Sequence, residues 1–437
     1  MSTVNRKLIW PAVSMLAVVV LGSAWVLGRK GVNPFRVETA SAGPMDSTAL
    51  ARSSHKRCGS LGGEAKVDCY SKILDSVAAL GEVRMAMGTL LRLGDLDVDV
   101  KRDGHVFAHG IGITAGKRGG DVAKTFMMCD ESNQSGCYHG VIQAYFDDAK
   151  TIGPQEVNDL CNAFRGPAGD RWLLFQCVHG EGHGLTMIYD HDLPKALLGC
   201  DQLLDSWDER SCYGGAFMEN IVNVTNPHHP AHGLAAKHDD HDMAGMDHGP
   251  KTKFKAMDPA DPLYPCSIMA EQYLESCYEM QTSVILTLNH GDMADAARTC
   301  DRAPGKMRYV CYQSLGRDIS SYSLQDHKKA IEMCSLGTPK YQPWCYVGLV
   351  KNFIDLNARA NDGLSFCRKL SGLANKLKCY EAVGEEVGTL RNDSEGRRAL
   401  CQPAEPAYLD ACLFGARVST FEPPFLSKIN AEAITGS

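Results

Sequence analysis

Across "YQPWCYVGLVKNFIDL" (341–356), Trp344, Cys345, Gly348, Val350, Phe353 and Ile354 recur mostly three or four apart. That spacing predicts a helix with one buried stripe. Ahead of it, "SLQDHKKAIEMCSL" (323–336) reads as a shorter helix stopped by "GTP". Together they form a helical hairpin, with one cysteine near the end of the first helix and another near the start of the second. The plan returns in "GLSFCRKL", a turn at "SGLAN", and "KLKCYEAVGEEVG". A different pattern lies near the N terminus, where Leu8–Gly28 carries no charge between Arg6-Lys7 and Arg29-Lys30. This length suits a membrane-spanning helix. It is read as an uncleaved anchor, since Trp25, Val26 and Leu27 prolong the apolar run. The other reading is a cleaved signal peptide, for which "LGSA" offers small residues.

The 18 cysteines make this plan measurable. They fall into successive pairs: Cys58 with Cys69, Cys129 with Cys137, Cys161 with Cys177, Cys200 with Cys212, Cys266 with Cys277, Cys300 with Cys311, Cys334 with Cys345, Cys367 with Cys379, and Cys401 with Cys412. From Cys266 onward the first members recur every 33 or 34 residues, the signature of a stacked supersecondary unit. Antiparallel helices joined by a tight turn bring each pair within disulfide reach. Between Cys58 and Cys129 two periods elapse, so a unit without cysteine is expected at "HVFAHGIGI" (105–113), with Phe107 in the cysteine's place. The fold class expected is all-α: an α-solenoid of about ten helical hairpins after an N-terminal transmembrane helix. Persistent disulfides place the main body in an oxidising compartment, so the protein is expected to be anchored in the inner membrane and to face the periplasm.

Two places after the reference cysteine the units read Ser71, His109, His139, His179, Gly214, Glu279, Gln313, Val347, Glu381 and Phe414. Histidine fills three consecutive units, and stacking sets equivalent positions side by side. His105 lies one helical turn before His109, and His183 one turn after His179; positions four apart share a helix face. The five imidazoles are therefore a candidate metal centre. Gly110, Gly140, Gly180 and Gly184 follow four of them, at about 1 kcal/mol each in helix propensity. Such repetition implies close approach by a neighbouring helix or a bound group. Glu181, Asp190, His191 and Glu219 are candidates for outer or catalytic roles. No C-x-x-C-H, C-x-x-C or H-E-x-x-H occurs, which excludes covalent c-type haem, a zinc ribbon and the ordinary zinc-protease helix. Non-covalent haem stays open.

Cys212 and Cys266 are separated by an insertion, 226–262, holding His228, His229, His232, His238, His241, Met243, Met246, His248 and Met257 among prolines, glycines and aspartates. Its composition cannot pack a core, so a mobile loop is expected. Imidazole with thioether suits copper. The chain divides into an anchor (1–30), a linker (31–50), N-terminal repeats with the histidine site (51–225), the insertion (226–262), C-terminal repeats (263–420) and a loose tail (421–437). Over most of 45–420 the paired-helix period resembles that of Sel1-like and tetratricopeptide-class helical-repeat proteins, in a disulfide-pinned form. The resemblance concerns period and pairing, and no functional residues carry over. "MAGMDHG" is similar to Met/His stretches of periplasmic copper-resistance proteins.

A net charge of −7 without long basic runs argues against nucleic acid. The partners expected are the membrane, through the N-terminal helix, and a protein on the solenoid groove. Three functions follow from the pattern. The first is a metal-binding or metal-handling protein, with copper ahead of zinc or iron. The second is a redox or hydrolytic metalloenzyme using the same histidines, and the third is an interaction scaffold.

Overall fold

The computed structural model describes residues 46–149, 152–166, 169–225 and 254–436. Among these the chain is all-helical, with 22 α-helices and no strand beyond an isolated bridge, Asp258 to Asp261. Several first helices of hairpins share one construction. Leu193–Cys200, Met293–Cys300, His327–Cys334 and Ser394–Cys401 each run eight residues and end on a bridged cysteine. Each begins behind an aspartate (Asp192, Asp292, Asp326, Asp393) whose carboxylate accepts first-turn backbone N–H groups. That cap satisfies donors the helix cannot satisfy itself.

The second helices carry the argument and are numbered in chain order. They are α1 (Gly63–Ala79), α2 (Gly104–Gly116), α3 (Gly136–Asp148), α4 (Arg171–Ile188) and α5 (Ser206–Thr225). The sixth is split into Glu271–Tyr278, which bears Cys277, and α6 (Gln281–Leu288). Then come α7 (Met307–Tyr322), α8 (Gln342–Asp355), α9 (Leu373–Leu390), α10 (Leu409–Gly415) and a final helix, α11 (Pro424–Thr435). Each of α1 to α9 packs on the next, and α11 packs on α9.

All nine disulfides join the pairs that spacing predicts, from Cys58 with Cys69 through Cys300 with Cys311 to Cys401 with Cys412. Their Cα–Cα distances lie between 5.4 and 5.9 Å. Cys311 and Cys412, like the other bridged residues, are buried; Cys69, at the chain's first hairpin, is the exception and only half-buried. No free cysteine remains among the described residues. Each bridge closes a short loop, worth roughly 3 kcal/mol in the chain-entropy model. In the cysteine-free second hairpin, buried Phe107 meets Tyr70 edge-on at 6.3 Å between ring centroids.

Glycine sets the helix spacing in four of the nine junctions between α1 and α10. A Cβ on Gly112 would overlap the carbonyl of Cys137, and one on Gly140 that of His109. The same reciprocal pair recurs as Gly182 with Gly215, Gly316 with Gly348, and Gly384 with Gly415. One partner lies five places after the reference residue and the other three places after it in the next hairpin. So α2–α3, α4–α5, α7–α8 and α9–α10 touch backbone to backbone. The junctions between them are filled by side chains: Gly180 faces Ile142, and Thr282 is hydrogen-bonded to Ser314 at 2.7 Å.

Contacts also join hairpins five apart. The third meets the eighth through Gln134 N–H to the Leu356 carbonyl, 3.4 Å. The fourth meets the ninth where Asn392 accepts from Arg171 N–H at 3.0 Å and donates to the Gly169 carbonyl at 2.6 Å.

Three expectations change. Residues 421–437, expected to be a loose tail, contain α11, with Leu426 fully buried, because its apolar residues recur at helical spacing. The linker ends earlier than expected, since a helix already starts at Ser47 behind the Asp46 cap. The end of the insertion is packed: Phe254 and Met257 lie on the core and Phe254 stacks on Tyr264 at 6.0 Å. The apolar segment 8–28 and most of the insertion, 226–253, lie outside the described residues. No helix among the described residues is long and apolar enough to cross a membrane.

The glycine junctions yield a direct test. Gly348→Ala is expected to destabilise the protein by about 1–3 kcal/mol through overpacking, despite alanine's better helix propensity. Gly94→Ala, where the nearest atoms leave ordinary contact distance, should be neutral or stabilising by up to about 1 kcal/mol. Urea midpoints at constant slope would show the difference; equal effects would refute the close-approach account.

Candidate metal centre

Helix α2 carries His105 and His109, α3 carries His139, and α4 carries His179 and His183. All five expected ligands are brought together. One group is His105, His109 and His139; the other is His139, His179 and His183. Each holds candidate ligand nitrogens within 4.8 Å of one another, and the two share His139. Ring centroids run from 4.5 Å (His105–His109) to 5.5 Å (His105–His139). His109 and His183, on helices that are not sequence neighbours, approach to 5.1 Å. The repeat register explains this, because the position two after each reference residue faces the same side in consecutive hairpins. The glycines beside them meet neighbouring helices: Asp75 for Gly110, the His109 carbonyl for Gly140, Ile142 for Gly180 and Phe146 for Gly184.

The outer partners fix which nitrogen of each ring carries its proton. His105 Nδ1 lies 3.0 Å from the Asn133 carbonyl, which can only accept, so Nδ1–H donates. Gln143 donates through Nε2 to Glu219 at 3.0 Å, which turns its Oε1 toward His109 Nδ1, also at 3.0 Å. His183 Nδ1 donates to Glu219 at 2.8 Å, and His139 Nε2 donates to Gln176 Oε1 at 2.8 Å. Lone pairs therefore remain on His105 Nε2, His109 Nε2, His139 Nδ1 and His183 Nε2. The first two face each other at 3.1 Å, close to the roughly 3.3 Å edge of a tetrahedron whose metal–nitrogen bonds are 2.0–2.1 Å. His139 Nδ1 and His183 Nε2 are buried and meet no protein partner. Fixing the distal N–H of each imidazole is how proteins orient metal-binding histidines.

Electrostatics agree with ligand chemistry. Burial, then the charges that neighbouring imidazoles would carry, push His139 and His179 well below the ordinary histidine range. Both are neutral near pH 7, the form that binds metal.

The four accessory candidates divide. Glu219, fully buried on α5, receives N–H from His183 and Gln143 and lies 3.6 Å from His191. Glu219 and His191 thus belong to the centre's surround. Glu181 points the other way, against the bridge of Cys161 with Cys177, with Cys161 Sγ 3.1 Å from its carboxyl. A bridged sulfur has no proton, so the carboxyl donates. Burial, then nearby Asp208, push Glu181 well above the usual carboxyl range, which keeps it protonated. Asp190 occupies the left-handed turn that closes α4 and joins neither histidine group. The loop histidines and methionines, 228–248, lie outside the described residues. Gln143 and Gln176 went unnoticed in the sequence. Gln143 stands six places after Cys137, as His183 stands six after Cys177, so the same register could have found it.

The depressed histidines imply a pH dependence. A histidine held below its unfolded value stabilises the fold above that value, and the contribution is lost as pH falls. Stability of chelator-treated protein should therefore drop as pH is lowered from about 6.5. Replacing His139 and His179 together by glutamine should flatten that slope, read from urea midpoints between pH 7.5 and 5; an unchanged slope would contradict the assignment. Compared with known proteins, this chain matches no family model, no curated protein and no solved structure.

Proposed function

We propose that this is a metal-binding protein that holds a transition-metal ion on His105, His109, His139, His179 and His183, with copper the first candidate. One observation carries the reading: oriented imidazoles, all but His105 buried, bring ligand nitrogens together in two groups that share His139, and His139 Nδ1 and His183 Nε2 meet no protein partner. Lone pairs held face to face without hydrogen between them repel; a cation among them reverses the sign. Imidazole suits copper, zinc, nickel and iron, and affinity among divalent ions peaks at copper. The Met/His sequence at 228–248 adds thioethers, which favour Cu(I). Rings packed at 4.5–5.5 Å favour a bare ion over a haem between them.

Storage or transfer suits the site better than hydrolysis. His109, His139 and His183 are each no more than 3% exposed, whereas a catalytic metal keeps a position open to substrate. The stacked second helices and the contacts between hairpins five apart support the finer architecture as well. We read it as a superhelical α-solenoid, about five hairpins to the turn, with the histidines facing its axis. The apolar segment 8–28 would anchor it in the inner membrane, and the disulfides favour a body on the periplasmic side, where such bridges persist.

Metal analysis of untagged protein, purified under copper- and zinc-replete conditions, tests the reading. Wild type should retain about one ion per chain, copper in preference to zinc, while His139→Ala and His179→Ala should each lose at least tenfold in affinity. Unchanged metal content in both variants would overturn the proposal. Deleting 228–248 should slow metal uptake and leave final occupancy at the centre intact.

A further inference from the structure

The final helix, α11, lies across the C-terminal hairpins. Leu426 is fully buried and Ile429 nearly so. Asn430 follows on the same face, since positions i, i+3 and i+4 of a helix adjoin. Its Oδ1 accepts from Lys378 Nζ at 2.8 Å, and its Nδ2 donates to Glu381 Oε1 at 2.7 Å and to Glu422 Oε1 at 2.9 Å. At the far end Gly436 lies against Gly305 and Lys306, just before α7. So α11 runs from the ninth hairpin to the seventh. The eighth lies between them in the stack, with Lys378 Nζ 5.6 Å over its Trp344 ring.

Two features set this helix apart from a simple end cap. First, Glu381 stands two places after Cys379, the repeat position that His179 holds in the first half. A wall that binds through imidazoles in one half therefore receives a helix in the other. Second, the segment is apolar on its outer face too: Phe421, Phe425 and Ile434 are 54%, 46% and 76% exposed. A carboxamide can accept from an ammonium and donate to two carboxylates at once, as Asn430 does, whereas a hydroxyl has a single hydrogen to donate. Lys378 and Glu381, themselves ion-paired and almost buried, read that group specifically.

We infer that the groove of the seventh to ninth hairpins is a helix-receiving surface, filled in cis by α11. It takes an amphipathic helix of a partner protein that presents two apolar side chains three apart, followed directly by a carboxamide. Helix-in-groove recognition reads such anchors. The tethered helix competes at high local concentration, so a partner gains entry only by reproducing its contacts.

The probe is a labelled synthetic peptide of residues 421–437, tested against the full-length chain. In the Leu426→Asp/Ile429→Asp variant, whose own α11 is dislodged, the peptide should bind saturably. Wild type should bind it at least tenfold more weakly, and an Asn430→Asp peptide should lose at least tenfold on the variant. On wild type, excess unlabelled peptide should speed amide exchange in α11 and leave α9 protected. A variant with intact helicity that ignores the peptide overturns the inference, as does equal binding by wild type or by the Asn430→Asp peptide. Should the variant fail to fold, wild-type exchange decides, and α11 exchange unchanged at saturating peptide overturns it.

Discussion

The structure depends on backbone contact between neighbouring helices, held at one register by a sulfur bridge in every hairpin but the second, where buried Phe107 takes the cysteine's place. The bridge ties a second helix to its own first helix, so a residue counted from the cysteine faces the same way in every hairpin. Paired glycines then let adjacent helices meet carbonyl to Cα at four of the junctions. Each glycine gives up about 1 kcal/mol of helix propensity, offset by dispersion across an unusually short interhelical distance. Three histidines two places past the reference position converge because of that closeness. With ordinary side chains at Gly112 and Gly140, the rings of His105 and His109 on α2 would stand farther from that of His139 on α3.

Much of this was legible in the chain because cysteine spacing is periodic and the bridges are local. The helix-pair plan, the nine pairings, the cysteine-free unit at Phe107 and the five-histidine set all follow from counting. What stayed hidden was relational. The paired-glycine code needs two hairpins compared at offsets of five and three, and only the glycines after histidines drew notice. Gln143 and Gln176 were passed over because an amide has no metal-ligand signature; the register marks the place of Gln143, but its role exists only once Glu219 turns it. Glu181 misled for a similar reason. It stands between two histidines in sequence, but two helical positions rotate it to the opposite face, where it meets a disulfide. The tail misled because its prolines and small residues mask a short amphipathic helix whose partner surface is built from distant hairpins.

The chemistry of the centre follows from the same enclosure. Burial makes protonated imidazole costly, so His139 and His179 stay neutral and their lone pairs stay available. The outer amides, the carboxylate and the backbone carbonyl hold ring orientation, which would spare the entropy of ordering the ligands for the proposed ion.

The second half of the molecule shows what a polar centre on this scaffold requires. Five hairpins along, the place of Gln143 is taken by Lys351 and that of His183 by Glu385, while Glu381 and Glu386 stand where His179 and Gly184 stand. Lys351 Nζ pairs with Glu385 at 2.7 Å and lies 3.6 Å from Glu386. Burial alone would push its ammonium down, but those carboxylates hold it above its ordinary value. There the positive charge belongs to the chain. In the first half the same positions carry neither lysine nor carboxylate, and the ionisable groups acting on His139 and His179 are other imidazoles. One backbone plan thus supports two solutions: an internal ammonium among carboxylates, and a cage of imidazoles, for which a cation from outside is proposed. The difference lies in six or so side chains, because the register that places them is set elsewhere, by sulfur and glycine.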